Sequence, residues 1–162
     1  MLHRTYDDQV CSVARTLEVL GERWTLLIVR DALLGLTRFD EFQRSLGVAR
    51  NVLAERLKRL VEAGVLERVE YQRRPSRFEY RLTPKGRELG VAVVALMHWG
   101  DRHLAGEQGP PRLTRHRGCG GTLHARLVCD SCGGTADRGD LEILPGPGLH
   151  PAAWAPAGTV DA

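Results

Sequence analysis

With 162 residues, a hydrophobic share of 43% and a formal net charge of +3, the chain has room for one domain of about a hundred residues plus an appendage, with ample material for a core. No run approaches the roughly 18 apolar residues of a membrane span, and the polar, acidic opening Met1–Asp8 lacks the basic start and apolar stretch of a secretory leader. A cytoplasmic protein is expected, and the modest overall charge leaves any polyanion binding to local patches.

The first predicted helix carries the apolar stripe Val10, Val13, Ala14, Leu17 and Leu20. The second is nearly all apolar, marked by Trp24, Leu27, Ile28, Leu33 and Leu34, and belongs in the core; Trp24 reads as packing rather than ligand binding. Thr37-Arg38-Phe39-Asp40 has the form of a capping-box start. Phe39, Phe42 and Leu46 then make a short stripe, and Gly47-Val48-Ala49 a tight turn.

A longer helix is predicted over 51–63. Leu53, Leu57, Leu60 and Val61 fall on one stripe, while Asn51, Glu55, Lys58 and Glu62 project from the other face, with Arg50 at the entry and Arg56 and Arg59 on the flanks. Gly64 ends it as a residue just past a C-cap. From Gly64 to Gly86 the chain reads as a β-hairpin, since Phe78, Tyr80 and Leu82 alternate with Arg77, Glu79 and Arg81 in the period of a half-buried strand. Its tip, Arg73-Arg74-Pro75-Ser76-Arg77, sets three guanidiniums on one turn, which suits contact with a polyanion. Short helix, turn, basic helix and basic hairpin, in that order, are the parts of a winged helix-turn-helix.

Thr83 as N-cap and Pro84 at the first helical position start a last long helix, which runs to about Leu104. Its apolar residues, among them Leu89, Ala92, Val93, Leu96 and Trp99, exceed what a monomer of this size can cover from one side, so they are assigned to a dimer interface. Two-fold symmetry would let two recognition helices read a palindrome one DNA turn apart.

Beyond Gly106 the composition changes. Glu107-Gln108-Gly109-Pro110-Pro111 is a linker, and a small internal repeat follows: His116-Arg117-Gly118-Cys119-Gly120-Gly121 and Cys129-Asp130-Ser131-Cys132-Gly133-Gly134. Two ligand-x-x-ligand-Gly-Gly knuckles are the layout of a zinc ribbon, with His116, Cys119, Cys129 and Cys132 closing a tetrahedron. Clustered thiols in a reducing compartment favour metal over disulfides. A metal-free β-hairpin and a redox dithiol are the competing readings, and His124 is an alternative ligand that breaks the symmetry of the knuckles. The expected domains are 1–106, 107–144 for the appendage, and a Pro/Gly/Ala-rich tail, 145–162, without fixed structure. The fold class is α+β, mainly α.

Several blocks in fixed order make the chain similar to a known family: Cys11-Ser12-Val13, Gly21-Glu22-Arg23-Trp24-Thr25, Arg38-Phe39-Asp40-Glu41-Phe42, the stretch Val52 to Leu60, and Tyr80 to Gly86. Over roughly residues 8 to 105 it resembles the HxlR-type winged-helix transcriptional regulators of bacteria. It departs from the usual pattern at Ala49 and Ala54, where a hydroxyl residue is usual; at the first, a helix N-cap of about 1 kcal/mol is lost. The resemblance implies a homodimeric, sequence-specific DNA-binding regulator, most often a repressor covering a promoter, with the last helix in the dimer interface. It also implies a possible role for Cys11 as a sensor, because some members use a cysteine at this position to detect quinones, aldehydes or oxidants; packing is the alternative, and Asp7 and Asp8 would oppose a lowered thiol pKa.

DNA contact is therefore expected from Arg50, Asn51, Glu55, Arg56, Lys58, Arg73, Arg74 and Arg77. Partners are a duplex operator, a second copy of the chain, and a small-molecule or oxidant effector, with no membrane. An enzyme is not expected, since no phosphate-binding glycine loop or paired carboxylates with a nearby base are present. A protein-interaction adaptor is the remaining alternative, against which the basic hairpin tip argues.

Overall fold

The structure, a computed structural model, describes residues 11–149. Val10, Asp7, Asp8 and most of the Pro/Gly/Ala-rich tail lie outside the described residues. The chain divides into two units, one spanning Thr16–Ala125 and the other made of residues 11–15 with 126–149.

Five helices and a hairpin precede the linker: α1 (Ser12–Leu20), α2 (Thr25–Leu33), α3 (Phe39–Leu46), α4 (Arg50–Glu62), strands β1 (Leu66–Arg73) and β2 (Ser76–Leu82), and α5 (Pro84–Leu104). The core of the larger unit takes Leu20, Ile28, Phe42, Leu53, Leu57 and Leu60 from the predicted stripes and adds Val29, Val65 and Leu66. Trp24 and Val61 pack against it, partly buried. On α1 the expected stripe is only partly met, since Ala14 and Leu20 are buried but Val13 and Leu17 are exposed. At α2 the expectation of an all-apolar buried helix is only half met: Leu27, Leu33 and Leu34 are exposed, whereas Thr25 and Asp31 are buried. A helix on the margin of a small core can bury one face only.

α3 starts one residue later than the Thr37 capping box implied. Arg38 is the N-cap, and the reciprocal partner is Glu41, whose carboxylate accepts from the backbone N–H groups of Thr37 (3.0 Å) and Arg38 (2.9 Å). Those two donors hold its pKa below the usual carboxylate value, the Arg38 N–H contributing most. Gly47, at φ +62°, ends α3 in the left-handed region and turns the chain into α4.

β1 and β2 pair antiparallel, from Leu66 opposite Leu82 to Arg73 opposite Ser76, with one irregularity at Tyr71, between Glu70 and Gln72. The chain before α3 ties this hairpin to the helices: Tyr80 N–H donates to the Thr37 carbonyl at 2.7 Å, and Arg38 bridges to Glu79. At the far end Thr83 caps α5 by accepting from Gly86 N–H (3.1 Å) and donates to the Gly64 carbonyl (2.6 Å). Gly86 is buried and lies so close to the Val65 carbonyl that no β-carbon fits there.

The residues after α5 return along it. His98 of α5 accepts from the Ala125 N–H at Nδ1 (3.5 Å), and its Nε2 lies 3.0 Å from the Thr114 hydroxyl, which itself donates to the Leu123 carbonyl. The boundary between the units accordingly falls after Ala125, well past the linker. In the smaller unit, β3 (Leu127–Val128) and β4 (Thr135–Ala136) pair antiparallel around Cys129–Cys132.

Candidate nucleic-acid interface

α4 buries Leu53, Leu57 and Leu60, so the 3.6-residue period turns Asn51, Glu55 and Lys58 outward. Most charges on its later turns are already paired. Lys58 lies 3.7 Å from Glu62, and the Arg59 Nε donates to Glu55 at 3.0 Å. Arg56 corrects a sequence expectation: its side chain is only 17% exposed and its Nη2 donates to Glu22 at 2.9 Å. The guanidinium ties α4 to the segment between α1 and α2 because its position on the helix flank turns it back over the core, away from the outward face. The N-terminal end of α4 is different. Asn51 is exposed, and Arg50, over the Phe39 ring at 4.7 Å, has among the described residues only a long ionic contact of 3.7 Å to the exposed Asp40.

The hairpin tip keeps its charge. Among the described residues Arg73, Arg74 and Arg77 are exposed and form no ion pair, whereas deeper in the hairpin Arg81 donates to Glu79 at 2.8 Å and Arg68 lies over the Phe78 ring. Between α3, the start of α4 and the hairpin lies a cleft of about 670 Å3, with Arg38, Arg44, Arg50 and Arg77 on its walls. Tyr71 lines it too. The irregularity in β1 frees that residue from the ladder, as bulges do, and the Arg38 guanidinium lies 4.9 Å from its ring. Sequence reasoning missed Arg38, Arg44 and Tyr71; an arginine nearly two helical turns along from the α3 cap was the available signal.

Of the residues assigned to self-association, Leu89 and Val93 pack against the core instead, partly buried, because they share the α5 face that meets α2. Leu96 and Trp99 remain 56% and 52% exposed, Ala92 is exposed, and Val91, absent from the expected set, is 72% exposed. Spacings of four and three residues put Ala92, Leu96 and Trp99 on one stripe, with Val91 beside it.

Cys11 is exposed at the start of α1, and the backbone N–H groups of Ala14 and then Val13 hold its thiol below the ordinary value. The two glycine knuckles match in local geometry. In one, His116 N–H donates to Gly121 (2.8 Å) and Gly120 N–H to His116 (2.8 Å); in the other, Cys129 N–H donates to Gly134 (2.9 Å) and Gly133 N–H to Cys129 (2.9 Å). Gly120 and Gly133 have φ of +74° and +70°. His116 Nδ1 is 3.2 Å from Cys119 Sγ, and backbone N–H groups of Cys132 and Ser131 point at the Cys129 sulfur, lowering its pKa. Each knuckle thus presents two donor side chains on one tight turn, and in the second the backbone N–H groups face the sulfurs. Among the described residues no group of three or more metal-binding side chains is assembled.

The profile of the HxlR-like helix-turn-helix family matches residues 19–108. The chain is 48% identical over 138 residues to the uncharacterized HTH-type transcriptional regulator Rv3095 of Mycobacterium tuberculosis, covering 85% of this chain and 87% of the relative. A match that long cannot fit within the first 108 residues, so it extends into the appended segment. The crystal structure of PA1607, a candidate transcription factor, superimposes with a TM-score of 0.76 at 41% identity, covering 85% of this chain and 96% of the other. The redox regulator HypR in its reduced form is similar over 57% of this chain and 92% of its own, with 31% identity and a TM-score of 0.54.

Proposed function

Since the chain belongs to the HxlR-like helix-turn-helix family and is a DNA-binding transcriptional regulator, we propose that it works as a homodimeric repressor on a palindromic operator. The observation that carries the DNA half of this reading is the unpaired arginine trio at the hairpin tip, beside the open N-terminal end of α4. In it, Arg73, Arg74 and Arg77 contact phosphates, Asn51 and Arg50 face base edges, and Arg56 is structural. Glu55 and Lys58 reach DNA only by giving up their helical pairs. The dimer half rests on the α5 stripe Ala92, Leu96 and Trp99, which stays exposed among the described residues, with exposed Val91 beside it. A second copy is the natural cover, because an exposed apolar stripe on a long helix matches itself across a two-fold axis. Capture of genomic fragments by the purified protein, followed by sequencing, tests the reading: recovery of an inverted repeat with half-sites one helical turn apart is expected, and recovery of no enriched sequence overturns it.

For the appendage we propose zinc, with His116, Cys119, Cys129 and Cys132 as ligands. Thiolate and imidazole are the donor types zinc takes, and the repeat supplies two per knuckle where the metal takes four. So short and glycine-rich a segment cannot hold itself by burial alone. Protein purified without chelator is expected to carry roughly one zinc per chain, lost in Cys132→Ser while the winged helix still melts cooperatively. Metal-free protein in which residues 115–134 resist proteolysis would leave the metal-free hairpin as the answer.

Cys11 fits a thiol sensor better than a packing residue, being exposed and held below its ordinary pKa.

A further inference from the structure

The cleft between α3, α4 and the hairpin has a chemistry that phosphate contact alone does not call for. Its guanidiniums outnumber its carboxylates, which come from Asp40 and Glu41. Glu41 is committed to the Thr37 and Arg38 N–H groups, so it offers little repulsion to an arriving anion. Arg44 and Arg77 form no ion pair among the described residues. Aromatic side chains line the cleft beside these charges: Tyr71, at the irregularity in its strand, Phe78 on the facing strand, and Phe39 under Arg50. A volume of about 670 Å3 lies within the roughly 300–1,000 Å3 of small-molecule sites, and the wall is more polar than apolar, which suits an anionic ligand over a neutral one.

We propose that this cleft binds a small aromatic carboxylate. Its carboxylate pairs with Arg44 and Arg77, bidentate pairing being what guanidinium geometry favours, and its ring lies against Tyr71, exposed on the cleft wall, with Phe78 beside it. Because Arg77 is also assigned to DNA, occupancy and DNA binding compete, and the ligand acts as an inducer. The binding site stands on the cleft; its regulatory effect rests on the DNA-binding reading above.

The test titrates the full chain with 2-naphthoate, with 2-naphthamide and inorganic phosphate as controls, and follows release of bound duplex DNA. Saturable naphthoate binding is expected, weaker by roughly tenfold or more for the uncharged amide and for Arg44→Ala, since a charge-assisted pair is lost. Naphthoate should displace DNA from the wild type at concentrations that leave Arg44→Ala, which is outside the proposed DNA contacts, on its DNA. Tyr71→Ala should weaken naphthoate without touching the charge. Phosphate binding as tight as naphthoate, or naphthoate binding indifferent to both Arg44→Ala and Tyr71→Ala, overturns the proposal. A protein that binds DNA but not naphthoate loses the cleft alone; one that binds naphthoate but no DNA loses the regulator reading and keeps the site.

Discussion

Glu41 shows how one side chain sets the start of an element. Its carboxylate satisfies two backbone donors that would otherwise be orphaned at the mouth of α3, and it does so only when ionised. Glu41→Ala should therefore cost about 1 kcal/mol at neutral pH, the usual worth of a cap. Its pKa in the folded protein lies below the ordinary 4.5. The stabilisation is thus fully present above that ordinary value and is lost as the pH falls through the lower, folded-state one. Melting wild type and variant side by side from neutral to strongly acidic pH should show the gap closing only at the acid end. A gap that persists there would assign the loss to packing, not to the charge.

At the scale of elements, α4 and the hairpin divide the work of binding DNA. The later turns of α4 spend their charges on Glu22, Glu55 and Glu62, so the hairpin supplies most of the free cations. Arg74→Ala and Arg77→Ala should weaken binding to all sequences alike and lower the slope of log affinity against log salt by about one per phosphate contact removed. Asn51→Ala should leave that slope intact and change sequence preference, by about 1–3 kcal/mol at the position read. Fluorescence anisotropy against operator and random duplex across a salt series separates the two effects. Arginine variants with the wild-type slope would remove the hairpin from the interface.

For the whole molecule, function depends on the α5 stripe as much as on the DNA-facing surface. Placing charge there, as Leu96→Asp with Trp99→Asp, should produce monomers by sedimentation while the core, to which neither residue belongs, keeps its cooperative melt. Operator affinity should fall by orders of magnitude, as one half-site loses the help of the other, and non-specific affinity should change far less. A variant that still sediments as a dimer would place the interface elsewhere.

Local signals were enough for the elements themselves. Apolar periodicity gave the inward faces of α3 and α4 and only part of those of α1 and α2, the Thr83-Pro84 pair marked the start of α5, the alternation at Phe78, Tyr80 and Leu82 gave the hairpin, and the glycine repeat gave two matching knuckles, because each of these is decided by residues close together in the chain. What depended on distant partners was not legible. Arg56 looked like its neighbours on the helix flank, and only Glu22, 34 residues away, makes it structural. Leu89 and Val93 belonged to the same apolar run as Leu96 and Trp99, and only the packing of α2 against one end of α5 divides core from open stripe. The arginine and aromatic cleft draws on three elements at once, so no window of sequence contains it. Periodicity reports which way a side chain points; what it meets there is settled by the tertiary fold.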